Sequence, residues 1–335
     1  MHPFQPIPRR KKTTSLHTEQ LESRELLTGG AGDTFAIVPG EITKANQPTV
    51  IKFTIDSTHF TVPKGRLTLG VDVVKDPSST LKPMIGSVSD AKGIAIMGMK
   101  HSTYAAKLSN ATVAPGSTTS AVLAPVQIDA HNPNGTTTYS VKVKGLQGTT
   151  GKFLLGFFLP GDANGDGKVD STDLTTIKSK LGQRGGTSKY SFDADTNRDG
   201  RIGKTDLKTA MDNMGVSTTI NPTISANLDP ASVTTLTARV TTARVVHFSG
   251  TTTPGAAVKF TEIAQQSQPV ATTADAKGSY SLYATLGDGS NTFKVTTLDA
   301  FGQSISGNLA PVTFQTNAAV TPASLNQTST TVKTA

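Results

Sequence analysis

The sequence predicts a mainly β, multidomain chain: an antiparallel β-sandwich, a small α loop–helix module and a second β-sandwich, in that order. Three observations carry this. Apolar and polar residues alternate with period two in many short runs. Clusters of Asp, Asn, Gly and Pro separate those runs. Between residues 161 and 216 the pattern changes to two Asp/Asn ladders, each followed by apolar residues at helical spacing. Period two buries one face of a strand and wets the other, whereas spacings of three and four line one face of a helix.

Residues 1–32 read as leader and linker, without order of their own. Arg9-Arg10-Lys11-Lys12 has the charge of a signal-peptide start, but no apolar stretch of about 7–15 residues follows it. The next segment, Leu21-Glu22-Ser23-Arg24-Glu25-Leu26-Leu27-Thr28-Gly29-Gly30, resembles the Leu-Glu-x-Arg-x-Leu-Leu leader of many large bacterial extracellular proteins. That resemblance implies export to a secreted or cell-surface location. The plainer alternative is a short amphipathic helix ending at Gly29.

Residues 33–160 form the first predicted sandwich. Ile51–Ile55, Leu67–Val73 and Tyr139–Val143 alternate, and Pro63-Lys64-Gly65, Asp76-Pro77-Ser78-Ser79 and Asn132-Pro133-Asn134-Gly135 supply turns. Lys152–Leu159 is the most apolar run and is expected to be a central strand, stopped by Pro160-Gly161. Residues 221–316 form the second predicted sandwich, with strands around Val245–Phe248, Ala257–Phe260, Ser279–Ala284 and Asn291–Val295. Its stretches Ser249–Ala256, Ala274–Leu282 and Gly287–Val295 resemble bacterial Ig-like modules of surface proteins. Residues 317–335 are Thr, Ala, Ser and Asn with little to bury, and are expected to be a disordered tail.

Composition narrows the function classes. The chain of 335 residues is 35% hydrophobic and 5% aromatic, with no Trp, which suits small Thr-rich β-domains. There is no Cys, so disulfides and thiolate metal sites are excluded. The net charge is +8, but Lys and Arg are scattered and no aromatic residues interleave with them, so nucleic acid is not an expected partner. No apolar run reaches about 18 residues, so no transmembrane helix is predicted.

The ladders carry the chemistry. Ca²⁺ takes six to eight oxygens, and a twelve-residue loop supplies them from positions 1, 3, 5, 7, 9 and 12 around a Gly at 6. In the first ladder Asp162, Asn164 and Asp166 fill positions 1, 3 and 5, Gly167 is at 6, Lys168 offers its carbonyl at 7, and Asp170 and Asp173 fill 9 and 12. In the second, Asp195, Asn197 and Asp199 precede Gly200, Arg201 offers its carbonyl, Gly203 at 9 leaves room for water, and Asp206 closes the shell. Two Ca²⁺ are therefore expected. The first loop carries four carboxylates and the second three, with Arg198 and Arg201 nearby, so the first site should bind more tightly. Val169 and Ile202, at position 8, are expected to pair and couple the loops.

Each loop is followed by a helix but not preceded by one. Leu174, Ile177 and Leu181 make one stripe, stopped by Gly182; Leu207, Met211 and Met214 make the other, stopped by Gly215. Upstream lie Pro160-Gly161 in one case and Gly185–Ser191 in the other. A duplicated EF-hand-type loop with only the exiting helix, closed by Asp at position 12, resembles a type I dockerin over residues 161–216. The resemblance implies two bound Ca²⁺ and docking onto a cohesin domain in a polysaccharide-degrading or surface assembly. It also implies that recognition lies at loop positions 10 and 11 and the first helical turns: Ser171, Thr172 and Lys178 in one copy, Lys204, Thr205 and Met211 in the other. The two copies differ there, so the two faces are not equivalent.

No catalytic constellation appears. There is no Gly-x-Ser-x-Gly, His-Glu-x-x-His or phosphate loop, and the six His are dispersed. A carboxylate pair of glycosidase type would have to come from Glu41, Asp56, Asp72, Asp90 and Asp129, and a sandwich without Trp offers little platform for sugars. The chain is expected not to be an enzyme, with carbohydrate binding by the first sandwich as a weaker option. Two readings of the calcium module stay open: a staple that fixes the flanking β-domains, which its central position favours, or a docking device.

Overall fold

In the computed structural model, residues 26–27, 30–31, 33–76, 79–96, 100–101, 120–127, 135–220, 224–229, 232, 239–263 and 268–315 are described. Arg9–Lys12, Leu21–Glu25, Tyr104, Asp129 and the tail 317–335 lie outside them. The fold is mainly β with two short helices among the described residues.

The first sandwich packs a three-stranded sheet on a five-stranded one. Thr136–Gly145 lies between Thr49–Asp56 and Pro83–Ser89 in the small sheet. In the large sheet Gly151–Phe158 lies between Thr34–Ile42 and Arg66–Lys75, and Ser120–Gln127 pairs with the far edge of Arg66–Lys75. All these pairs are antiparallel. The alternation expected at Leu67–Val73 holds for the inner face, where Leu67, Leu69, Val71 and Val73 are buried with Phe153, Leu155 and Phe157.

The outer face of the large sheet is covered too. Asp72, Val74, Leu154 and Phe158 point the other way and are also buried. A strand buried on both faces reads as a continuous apolar run, which is why Lys152–Leu159 is the most apolar stretch of the domain. Two glycines make room on this sheet. A Cβ on Gly70 would lie 2.3 Å from the Phe158 ring, and one on Gly156 would lie 2.7 Å from the Phe301 ring.

The second sandwich has its own core, with Phe248, Phe260 and Phe293 at its centre. One sheet orders Ile224–Leu228, Val245–Thr251 and Ser279–Thr285; the other orders Val270–Thr273, Ala257–Glu262, Phe293–Leu298 and Ser304–Asn308. The expected strand Asn291–Val295 is split at Thr292, between Gly289–Asn291 and Phe293–Leu298. Leu26–Leu27 pairs with Ile224–Ser225, and Gly30–Ala31 pairs with Ser304–Ile305. This part of the leader segment is therefore extended, not helical, and is added to both sheets of the distant sandwich.

Candidate metal centre

The last strand of the first sandwich runs straight into the first loop, as Pro160-Gly161 requires. Helix α1 (Ser171–Ser179) and helix α2 (Lys204–Asp212) follow the two loops. Asp170 caps α1 by accepting from Thr172 N at 2.7 Å, and Asp173 returns the bond by accepting from Asp170 N at 2.8 Å. In the second copy Gly203 has no side chain to give, and only the return bond remains, Asp206 accepting from Gly203 N at 2.8 Å. Gly182 and Gly215 end the helices at φ +86° and +83°.

Within each loop the side chains turn inward on the backbone. Asp162 accepts from the amides of Gly165 (2.8 Å), Asp166 (3.0 Å) and Gly167 (2.9 Å). Asn164 accepts from Asp166 N and Asp166 from Lys168 N, both at 3.0 Å. Asp173 reaches back across the loop to the amides of Ala163 (2.9 Å) and Asn164 (3.1 Å). The second loop repeats the scheme. Asp195 accepts from Asp199 N (3.1 Å), Gly200 N (2.6 Å) and Tyr190 Oη (2.7 Å). Asn197 and Asp199 each accept from the second amide on, at 2.9 Å, and Asp206 accepts from Asn197 N at 3.2 Å. Gly167 and Gly200 at position 6 take φ +81° and +84°, the left-handed conformation of the sharp turn.

The electrostatics suit a cation. Burial pushes the Asp162 carboxyl up to about 7, with Asp173 and Asp166 adding repulsion against the loop amides that hold it ionised. Burial likewise pushes Asp195 up to about 7, with Asp206 adding to it. Among the described residues no three His, Cys, Asp or Glu side chains form a ready-made metal cluster. An ion would therefore draw also on Asn164, Asn197 and the carbonyls of Lys168 and Arg201. That all-oxygen mixture of carboxylate, amide and carbonyl is the donor chemistry of Ca²⁺, and the residues fit it.

Val169 and Ile202 are both buried in one core. The backbone of each pairs with the stretch after the opposite helix. Val169 bonds Val216 O and Gly215 N, both at 2.9 Å; Ile202 bonds Gln183 O at 2.9 Å and Gly182 N at 2.8 Å. The two halves thus clasp each other through exchanged ends.

The module is seated at the end of the first sandwich, where the last strand of the large sheet stops at Phe158, and Arg198 reaches over the Phe158 ring. Its buried residues Val169, Ile177, Ala194, Ile202 and Ala210 belong to the same core as the first sandwich. Asn213 makes three bonds at 2.9 Å, from Thr68 N and to the carbonyls of Thr68 and Pro160. Ser217–Thr218 pairs with Phe60–Thr61. The face of α2 turned inward holds Asp206, Thr209 and Ala210; of the expected stripe, Leu207 packs against the same core, Met214 is half-buried and Met211 is exposed. Gly161 sets this: its Cα space is closed by Ala210, so only a small residue fits.

Arg198 lies at position 4 of the second loop and is 1% exposed. Nη2 donates to both oxygens of Asp33, at 2.5 and 2.6 Å, and Nη1 donates to the carbonyls of Phe192 and Asp195. The guanidinium sits over the Phe158 ring (4.2 Å) and the Phe192 ring (3.7 Å). Nε is 3.9 Å from Asp72, and among the described residues neither Nε nor the Asp72 oxygens has a hydrogen-bond partner. Burial opposes the charge on Arg198, but Asp33, Asp72, Asp193 and Asp195 outweigh it and raise its pKa. Burial pushes Asp72 up to about 8 despite Arg198. Sequence reasoning placed Arg198 merely near a site. The available signal was the internal comparison: the first loop has Gly165 at this position, with φ +74°, and Arg198 keeps that left-handed geometry at φ +58°.

The second sandwich meets the same place. Phe301, 1% exposed, packs with Val74 and Leu154, and Asp72 Oδ1 and the Phe301 ring share the space over Gly156. Asp299 shapes that turn by accepting from Phe301 N and Gln303 N at 2.9 Å. With its amide oriented to satisfy both ends, Gln303 donates to Thr34 O and accepts from Asp33 N, each at 3.0 Å. Beside this contact is a cleft of about 290 Å³ lined by residues of both sandwiches, among them Lys152, Leu154, Gly255 and Asp275.

The positions expected to carry recognition face solvent. Ser171, Thr172, Lys178, Lys204, Thr205 and Met211 are all exposed, and Leu181 (40%) and Met211 (54%) are among the exposed large apolar side chains. Of the carboxylates named for a catalytic pair, Asp56 and Asp90 organise local turns, and Asp72 is buried at the junction.

Two loop–helix halves with oxygen-bearing side chains, each clasped to the other, form a small duplicated module. Residues 160–213 match the family model for the dockerin type I domain. Dockerin domains as a class bind calcium and dock onto cohesin partners in extracellular assemblies. No curated protein matches the chain. Among solved structures, the chain is similar to a crystal structure of a tetra-tandem repeat in the extending region of a large adhesion protein, at 15% identity and a TM-score of 0.24, over 80% of this chain and 50% of that one. The chain thus spans about half the length of that structure. No helix among the described residues is long and apolar enough to cross a membrane.

Proposed function

We propose that this is a non-catalytic extracellular or cell-surface protein in which the dockerin-like module binds two Ca²⁺ and organises the flanking β-domains. The observation that carries the reading is the seat of the module: its core is continuous with that of the first sandwich. A segment that small rarely folds on its own core, and metal ions commonly supply the missing stability. On this reading Ca²⁺ neutralises crowded carboxylates, and the folded module fixes the surface on which both sandwiches meet. The second sandwich is read as Ig-like, residues 1–32 as leader and 317–335 as tail. The test is thermal unfolding of the full chain with Ca²⁺ and with chelator. Calcium should raise one transition shared by the module and the first sandwich. A shift confined to a separate small transition would sink the reading.

The exposed recognition positions favour a second reading, docking onto a cohesin-like domain through the face opposite the sandwich. Among the described residues nothing in the seat of the module blocks Ser171, Thr172 or Met211, so the two roles are compatible. Binding to a panel of cohesin domains, lost in Ser171→Asp, would support it; no binding by any would count against it. Carbohydrate binding by the first sandwich is a weaker option.

A further inference from the structure

We propose that Arg198 couples the ion of the second loop, and not that of the first, to the relative arrangement of the two sandwiches. The proposal rests on the reading that both loops hold Ca²⁺, and it names the residue through which one of them acts.

Arg198 stands between two donors of the second loop, Asn197 and Asp199, and is tied to a third. Its backbone N and its Nη1 both donate to the Asp195 carbonyl, at 3.0 and 3.2 Å. Whatever fixes the loop therefore fixes the stem of this side chain. The rest of the head is spent outside the loop. It grips Asp33 at the start of the first sandwich, stacks on Phe158 of its large sheet, and faces Asp72. Asp33 and Asp72 are also where the second sandwich arrives, through Gln303 and Phe301. One side chain thus borders the second loop, the first sandwich and the contact with the second sandwich.

The first loop lacks such a path. Its position 4 is Gly165, which has no side chain to send anywhere. A left-handed backbone at a non-glycine residue is uncommon and is kept where surrounding contacts hold it. Loosening the second loop would release Arg198 from that geometry and leave Asp33 and Asp72 buried without their cation. Linkage makes the effect reciprocal, with about 5- to 150-fold changes in affinity usual for coupled sites. An Arg198→Gly change, which copies the first loop, should therefore weaken calcium at the second site although it removes a positive charge.

The test is the distance between spin labels on the full chain. The chain has no Cys, so cysteines placed at the exposed positions Lys142 and Lys259, one in each sandwich, label uniquely. Calcium stoichiometry is measured on the same samples by calorimetry. The wild type should give one narrow distance with Ca²⁺ and a broad one with chelator. Asp195→Ala should be broad in Ca²⁺ and Asp162→Ala narrow; Arg198→Gly should be broad with calcium still bound. Narrow Arg198→Gly, or equal broadening by Asp162→Ala and Asp195→Ala, overturns the coupling while leaving calcium organisation intact. A wild type indifferent to calcium overturns both. The ligand variants keep Arg198, so they judge the proposal even if Arg198→Gly does not fold.

Discussion

Arg198 Nη2 lies 2.5 Å from Asp33 Oδ1, and both side chains are fully buried. The two residues come from different units of the chain, and each is the other's main compensation for lost water. Removing one partner of a buried pair typically costs about 3–5 kcal/mol, because the survivor stays charged in a poor solvent. Asp33→Ala should lower the stability of the full chain by that order in urea unfolding. A change within about 0.5 kcal/mol would mean that Asp72 and Asp193 already carry the charge.

Gly156→Ala tests the contact between the sandwiches. The added Cβ would lie 2.3 Å from Asp72 Oδ1 and 2.7 Å from the Phe301 ring, both on the packed side. Overpacking of this kind costs about 1–3 kcal/mol. The expected outcome is displacement of Phe301 and faster proteolysis between the module and the second sandwich, with the core around Phe248 unchanged. Unaltered cleavage would show that Phe301 is not needed to seat that domain.

Asn213→Ala tests the seat of α2. It would strip partners from Thr68 N, Thr68 O and Pro160 O together. Unsatisfied buried backbone groups cost about 1–3 kcal/mol each, so a loss of several kcal/mol is expected, measured by chemical denaturation.

These effects were legible in the sequence to different degrees. The alternating runs gave the strands, because period two follows directly from the pleat. The turn geometry of the loops was readable, because Asp and Asn at alternate positions around Gly167 and Gly200 turn their oxygens onto the loop amides. The seat of the module was not readable. The stripe Leu207, Met211 and Met214 points to a buried face on α2; Leu207 does pack against the core, but Met211 is exposed and small Ala210 and polar Asn213 complete the contact, since close approach rewards size and hydrogen-bond fit over hydrophobicity. Arg198 was equally opaque: a buried arginine looks like a surface one until its partners, 165 positions away in the case of Asp33, are in place.

The buried carboxylates predict an unusual pH response. Asp72 is raised to about 8 and Asp299 to about 6, in both cases chiefly by burial. The folded chain thus holds protons that the unfolded chain releases near pH 4. Their contribution to stability is complete below that pH and is lost as the pH rises through about 6 and then about 8. Melting curves in chelator should show stability falling from pH 6 to pH 9, and Asp72→Asn should flatten the fall. An unchanged slope in Asp72→Asn would place the titrating group elsewhere.

The most direct measurement is calorimetric titration of the full chain with Ca²⁺ at neutral pH, beside Mg²⁺ and chelator controls. Two bound ions are predicted, the tighter lost in Asp162→Ala and the weaker in Asp195→Ala, each binding event raising the unfolding temperature. No heat and no stabilisation at millimolar Ca²⁺ would contradict the account, and would reduce the two ladders to turns held by their own amides.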